Sequence, residues 1–302
     1  MMRALFVLTP PESKRLIGKA VAALEEVKKA KKRSKLLIGH GSTNVYVAQE
    51  VLGKKKLAEI FVCEAYLSGV IQRGTLCTIP SEDKPAILVL NRGVVEPPPL
   101  TMSELLKGFD RDSIFIKGAN AVDPEGNAGV MVAHPEGGTI GWAVGTLWAQ
   151  GIRLIVPVGL EKLVPSVRKS VELCGQKALD YSEGLKVGMI PLTGAKVITE
   201  LEALKILAGV EAFHVASGGN AGSEGCVTLV AEGEAGTVKK AIKVVRSVKG
   251  EPALAPRKPK CQDCILSSPA QPESERKKGV PHTCPYACKK EEDLPPYLRN
   301  RS

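Results

Sequence analysis

The sequence predicts an α/β protein: a mostly parallel, Rossmann-like sheet flanked by helices, with a smaller ferredoxin-like α/β module and a Cys-rich tail. Three observations carry this expectation. Short apolar runs alternate with amphipathic helical patterns from residue 4 to residue 178, the alternation that builds parallel sheets. Two of those runs end in glycine and small polar residues, the first opening directly into a helical pattern and the second followed by a glycine pair that opens one. Beyond Gly250 the composition changes: nine of the 21 prolines but only one of the 30 glycines follow it, and apolar periodicity stops. The expected division is residues 1–184, 185–250 and 251–302.

Taken in order, residues 4–9 read as a buried strand. Residues 11–30 read as an amphipathic helix with Pro11 near its start and Leu16, Ile17, Ala20, Val21, Leu24 and Val27 on one face. Strand 36–39 and helix 43–52 follow. Residues 60–79 are strand-like but broken by Gly69 and Gly74, and strand 86–90 ends in the loop Pro97-Pro98-Pro99. Helix 102–108, strand 113–116, helix 139–150, strand 154–158 and helix 161–178 continue the alternation. From Leu185 the pattern becomes strand 185–191, helix 197–208, strands 211–216 and 226–232, and helix 236–248, the β-α-β-β-α order of a ferredoxin-like module. Gly218–Gly225 reads as a hairpin loop, and His214 as a structural histidine.

Composition narrows the function classes. Hydrophobic residues make up 44% of the 302, so the chain can build a sizeable core. No apolar run approaches the ~18 residues of a membrane span, and the N-terminal run is too short for a secretory signal, which makes the cytoplasm the expected location. The net charge of +10 favours anionic partners. Lys28, Lys29, Lys31, Lys32, Arg33 and Lys35 form one cluster, readable as a nucleic-acid contact or as a solvated helix end. Aromatic residues, at 4%, do not interleave with it as a base-stacking platform requires.

The first glycine turn is Gly39-His40-Gly41-Ser42-Thr43-Asn44. Glycines let the backbone approach a ligand, Ser42 and Thr43 are good caps, and a helix N-terminus favours phosphate or carboxylate. An ordinary strand-to-helix turn is the plain alternative. The second stretch runs from Lys117-Gly118-Ala119-Asn120 through Asp123-Pro124 to His134-Pro135-Glu136-Gly137-Gly138. Strand C-terminal ends share one edge of a parallel sheet, so the two stretches are expected to meet in one crevice. There Gly39, Gly41, Ser42, Thr43, Asn44, Gly118, Asn120, Gly137 and Gly138 are candidate ligand-binding residues. Lys117 is a candidate cation or nucleophile, and Asp123, His134 and Glu136 complete the candidate catalytic set. Asp123-Pro124 and His134-Pro135 read equally as loop-forming pairs.

These motifs resemble those of the ribose-5-phosphate isomerase and coenzyme A transferase-like superfamily over residues 35–160. Gly39-His40-Gly41-Ser42-Thr43 is similar to the isomerases' phosphate turn, Ile116–Pro124 to their Asp-Gly-Ala-Asp-Glu-x-Asp-Pro segment, Glu136-Gly137-Gly138 to their Lys-Gly-Gly, and Glu161-Lys162-Leu163-Val164 to the segment after it. The resemblance implies a Rossmann-like fold with an anion site and a small ferredoxin-like domain. It does not imply the isomerase reaction, because Lys117, Asn120 and Ala121 replace acidic residues and Glu136 replaces a lysine. Aldose–ketose isomerisation needs a carboxylate base and a cation that stabilises the enediolate.

Cys63, Cys77, Cys174 and Cys226 read as core residues. Cys261-x2-Cys264 and Cys284-x3-Cys288, nineteen residues apart, have the spacing of a four-thiolate zinc site. The same thiolates suit an iron–sulfur cluster, and His282 is a substitute ligand. The sequence thus supports an enzyme-like protein acting on a small phosphorylated or carboxylated metabolite, as an isomerase, transferase or hydrolase. The alternatives are a non-catalytic metabolite sensor whose Cys tail engages a partner, and a nucleic-acid-binding protein. Assembly with further copies of itself stays open.

Overall fold

The structure, a computed structural model, describes residues 1–72, 74–80, 83–97, 101–257, 260–264 and 284–299. Pro98, Pro99 and His282 lie outside the described residues. Strand β1 (Met2–Leu8) buries Phe6 and Leu8 but exposes Leu5 and Val7, so it is buried on one face and not on both as expected. Thr9 opens α1 (Pro10–Ala23), with the Glu12 carboxylate accepting the Thr9 N–H at 2.9 Å. The helix expected over 11–30 is divided at Leu24, which is extended, and α2 (Glu25–Arg33) comes after it. Acidic residues start α2 and Lys31, Lys32 and Arg33 end it, matching its dipole.

Strand β2 (Lys35–Ile38) leads through the first glycine turn into α3 (Ser42–Leu52), followed by α4 (Lys54–Ala58). Strands β3 (Gly69–Gln72) and β4 (Thr75–Thr78) form a hairpin, as do β5 (Leu88–Asn91) and β6 (Val94–Val95). The second hairpin turns on Arg92 and Gly93, both with positive φ, as a tight two-residue loop requires. Next come α5 (Met102–Lys107), β7 (Ile114–Ile116), β8 (Ala121–Val122), β9 (Ala128–Val132), α6 (Gly138–Gln150), β10 (Arg153–Pro157) and α7 (Val167–Leu173). The helix expected over 161–178 is reduced to a short turn at Leu160–Lys162 and α7, since Pro165 cannot continue a helix. The last elements are β11 (Gly188–Pro191), β12 (Lys196–Ile198), α8 (Glu200–Ala208), β13 (Glu211–Gly218), β14 (Cys226–Gly233) and α9 (Ala235–Arg246).

The fold is α/β around a mixed six-stranded sheet of order β12-β10-β7-β2-β5-β6. Strands β12, β10, β7 and β2 are parallel, whereas β5 and β6 are antiparallel additions. Leu36, Leu37, Ile38, Ile114, Phe115, Ile116, Leu154, Ile155 and Val156 are all buried, which is why these strands read as continuous apolar runs. The register pairs Ile38 with Ile116 and Ile155 with Ile116. The residues just beyond β2 and β7 therefore emerge together at one edge of the sheet.

Strand pairing after residue 185 differs from expectation. The strand expected to open the ferredoxin-like module, β11, pairs antiparallel with β9, and β12 joins the central sheet. Its place beside β14 is taken by β1, from Met2 opposite Gly233 to Leu8 opposite Val227. Helix 197–208 starts only at Glu200 because Lys196–Ile198 is strand, and Thr199 caps it. Gly218 at the end of β13 and Gly219, Gly222 and Gly225 in the loop after it all have positive φ. The described part of the tail buries Cys264, Cys284, Tyr286, Ala287 and Leu294 against Leu185. Among the described residues, no helix is long and apolar enough to cross a membrane.

Candidate functional site

Two turns build one wall. The Gly39 N–H donates to Ile116 O at 2.9 Å, prolonging the β2–β7 pairing past the end of β2. A Cβ on Gly39 would stand 3.2 Å from Lys117 Cδ and 3.3 Å from Ile116 O, so the missing side chain gives the lysine stem its seat. Gly41, with φ +150°, donates its N–H to Tyr66 O at 3.1 Å and is itself the N-cap of α3. Ser42 and Thr43, expected as caps, are instead first-turn residues. The first-turn N–H groups of Ser42, Thr43 and Asn44 therefore have no acceptor within the helix. Asn44 ties the turn together from behind: its Nδ2 donates to Gly39 O at 2.7 Å. Its buried Oδ1 has no hydrogen-bond partner, and a Cβ on Gly118 would lie 3.6 Å from it.

Those turns open on a cleft of about 550 Å³ lined by Ser42, Thr43, Lys117, Gly118, Asn120, His134, Gly137 and Gly138. Thr43 and Asn120 thus share one cavity, as the parallel-sheet argument requires. Asn120 is fixed by its Oδ1, which accepts the Met131 N–H at 3.0 Å. His134 Nδ1 accepts the Glu136 N–H at 3.1 Å, which puts the proton of the neutral ring on Nε2. Its ring meets Trp142 edge-on, with centroids 4.9 Å apart.

The structure adds cleft residues that the sequence did not single out, namely Lys14, Lys84 and, apart from its place in the resemblance, Lys162; Cys77, expected as a core residue, is buried and also borders the cleft. Lys117 Nζ donates to His40 O at 3.4 Å and Gly118 O at 3.5 Å, both long contacts. Burial and then the charge of Lys84 lower its pKa to about 8. Burial likewise lowers Lys84 to about 8. No carboxylate of the described residues lies within ion-pair distance of either amine. His40 adds no charge: its Nε2 donates to Pro85 O at 2.8 Å, and burial pushes its pKa to about 4. Lys14 and Lys162 border a buried acid–base group instead. Lys162 pairs with Glu161 at 3.0 Å, and Glu200 accepts the Leu160 N–H at 2.9 Å. Burial, then repulsion from Glu161, raises Glu200 to about 7. Burial and the Lys162 charge lower Lys14 to about 8.

Two expected catalytic residues are not among those lining the cleft. The Asp123 carboxylate is consumed by structure: it accepts the Asn127 N–H at 2.8 Å, Asn127 Nδ2 at 3.2 Å and the Val167 N–H at 2.9 Å. These bonds to the charged form lower its pKa against the effect of burial. Asp123 closes the loop to Asn127, as its loop-forming reading expects, and also holds the first N–H of α7, whose cap is Ser166. Glu136 is exposed and accepts the Nε1–H of Trp142, itself a cleft residue, at 3.0 Å.

The four tail cysteines come together. The Cys288 N–H donates to Cys261 O at 2.9 Å and the Cys288 thiol to Cys264 O at 3.3 Å, while Cys264 and Cys284 share one buried cluster. Among the described residues, no set of three or more His, Cys, Asp or Glu side chains stands at metal-holding spacing. In the basic cluster, Lys28 pairs with Glu25, Lys29 with Asp112 and Lys35 with Glu96, at 2.6, 2.8 and 3.0 Å. Three of the six cations are thus ion-paired within the chain, the Lys28 pair at the exposed surface. Comparison of the chain with protein-family models, with curated proteins and with solved structures returned no match.

Proposed function

We propose that this protein binds a small phosphorylated or carboxylated metabolite in the cleft between the 39–44 turn and the 117–138 stretch. One observation carries the reading: Lys84 and Lys117 line the cleft beside the first turn of α3, with no carboxylate of the described residues near enough to neutralise them. Two amines desolvated together are unfavourable until an anion arrives, and the helix dipole favours the same sign of ligand. Ser42, Thr43, Lys84, Lys117 and Asn120 are the residues proposed to contact it. His134 is the cleft's candidate acid or base. A Rossmann-like kinship with the ribose-5-phosphate isomerase and coenzyme A transferase-like superfamily, in a cytoplasmic protein, belongs to the same proposal. The parallel β12-β10-β7-β2 order supports it.

Calorimetric titration with inorganic phosphate and with succinate tests this reading. The wild-type chain is expected to bind at least one of them saturably. The Lys84→Met/Lys117→Met double variant should bind at least about tenfold more weakly, the loss of one charge-assisted hydrogen bond or more. Equal binding by both proteins, or none by the wild type, contradicts it.

The sensor alternative draws on the tail, which packs on Leu185, itself a cleft residue. Cys261, Cys264, Cys284 and Cys288 suit zinc by donor type and by the spacing of the two pairs. A bound metal would supply ordering energy to a segment with little core of its own. Elemental analysis of anaerobically purified protein should return about one zinc per chain, falling on Cys264→Ser/Cys284→Ser substitution. Iron with inorganic sulfide would assign a cluster instead, and neither element would contradict a metal site.

A further inference from the structure

We infer that Lys117 is an amine nucleophile that forms an imine with the carbonyl carbon of a small oxo acid bound in the cleft. The inference rests on the anion-binding reading and adds to it a substrate class, carboxylates that carry an aldehyde or ketone. Four observations converge on it. Lys117 comes directly after the last residue of β7, and its stem lies in the space left by Gly39. Its Nζ is guided by two long contacts to main-chain carbonyls and is not consumed by a carboxylate. Lys84 is a second amine in the same cleft, able to balance the substrate's charge while Lys117 reacts. His134 lines that cleft too, as a donor and acceptor of protons.

A lysine becomes nucleophilic when it is desolvated or set beside another cation, because both favour the neutral amine. Lys117 meets both conditions. The titratable groups around it are Lys14, His40, Cys77, Lys84, His134 and Lys162. The step balances without an oxidant or reductant. The Nζ lone pair attacks the carbonyl carbon, forming a C–N bond, and the C=O π pair moves to oxygen. That oxygen takes two protons, which are in net the two N–H protons of the amine passed by way of His134, and leaves as water while the C=N bond forms. Amine plus carbonyl thus gives imine plus one water.

The test is reductive trapping. The full chain is incubated with glyoxylate and sodium cyanoborohydride, and the modified peptide is identified by mass spectrometry. One dominant adduct on Lys117 is expected, with half-maximal trapping near pH 8 and not near the alkaline value of surface lysines. Lys84→Met should move that midpoint to higher pH, because a repelling charge is removed. Lys117→Arg keeps the cation but not the nucleophile, so it should lose the adduct. Wild-type protein that binds phosphate yet gives no Lys117 adduct overturns the imine and leaves the anion site standing. Adducts spread evenly over exposed lysines overturn it as well. Failure of both phosphate binding and trapping removes the two readings together.

Discussion

Replacing Lys117 with methionine is expected to stabilise the fold at neutral pH. The folded protein holds this amine at a pKa of about 8, against 10.5 for the free side chain. A lowered lysine pKa means that the folded state binds the proton less tightly than the unfolded state does. The penalty is therefore fully present below pH 8 and disappears as pH rises from 8 towards 10.5. At about 1.4 kcal/mol per pKa unit it reaches at most about 3 kcal/mol, less whatever water reaching the half-buried amine recovers. Methionine keeps most of the stem's packing beside Gly39 and removes the charge. Denaturant unfolding at pH 7 should show the variant more stable than wild type, with the gap narrowing above pH 9. A residue that weakens its own fold is retained for something other than stability, and a variant less stable at pH 7 would remove this argument.

Arg15→Met should have the opposite effect and a larger one. Arg15 is buried between α1 and α3, where Nη1 meets Glu50 at 2.9 Å and Nη2 meets Glu251 at 2.7 Å. Its guanidinium also lies 4.6 Å from the centre of the Tyr46 ring, and Tyr46 donates its hydroxyl to Pro252 O at 3.0 Å. Methionine fills the space but leaves two carboxylates without their main cation. Removing one partner of a buried pair costs about 3–5 kcal/mol. Lys19 and Lys54, at 3.6 and 3.7 Å from the same carboxylates, hold the loss towards the lower end. Lysine at position 15 should recover part of it, since charge returns without the two-pronged geometry. The loss reaches the cleft, because Glu251 and Pro252 anchor the segment whose Leu254 and Pro256 line it. A thermal midpoint lowered by less than about 2 °C, the shift of under 1 kcal/mol in a chain of this size, would contradict the estimate.

What could be read from the sequence was local. Gly39-His40-Gly41-Ser42 was legible because a strand, a turn needing glycine and a helix start succeed one another within a few residues. Lys117 was legible because the C-terminal ends of parallel strands share one edge of the sheet. Lys14, Lys84 and Cys77 were not, since they reach the cleft from α1, from the loop before β5 and from β4, with no shared motif. Whether Glu136 lines the cleft was not legible, because its position beside Gly137 does not tell which side of the turn it faces. Asp123 was read in part: its pairing with Pro124 suggested a loop, and Asn127 four residues on was the signal that its oxygens were already committed. The pairing of β1 with β14 joins residues more than two hundred apart, and periodicity holds no information about that distance.

The central claim is that a desolvated ammonium without an acidic partner waits in the cleft for an anion. Its most direct test is an NMR titration of the Lys117 side chain in lysine-labelled protein, assigned with Lys117→Arg, with and without inorganic phosphate. The expected result is titration near pH 8 in the free protein, moving upward when phosphate binds. Titration above pH 10 that phosphate leaves unchanged would contradict it.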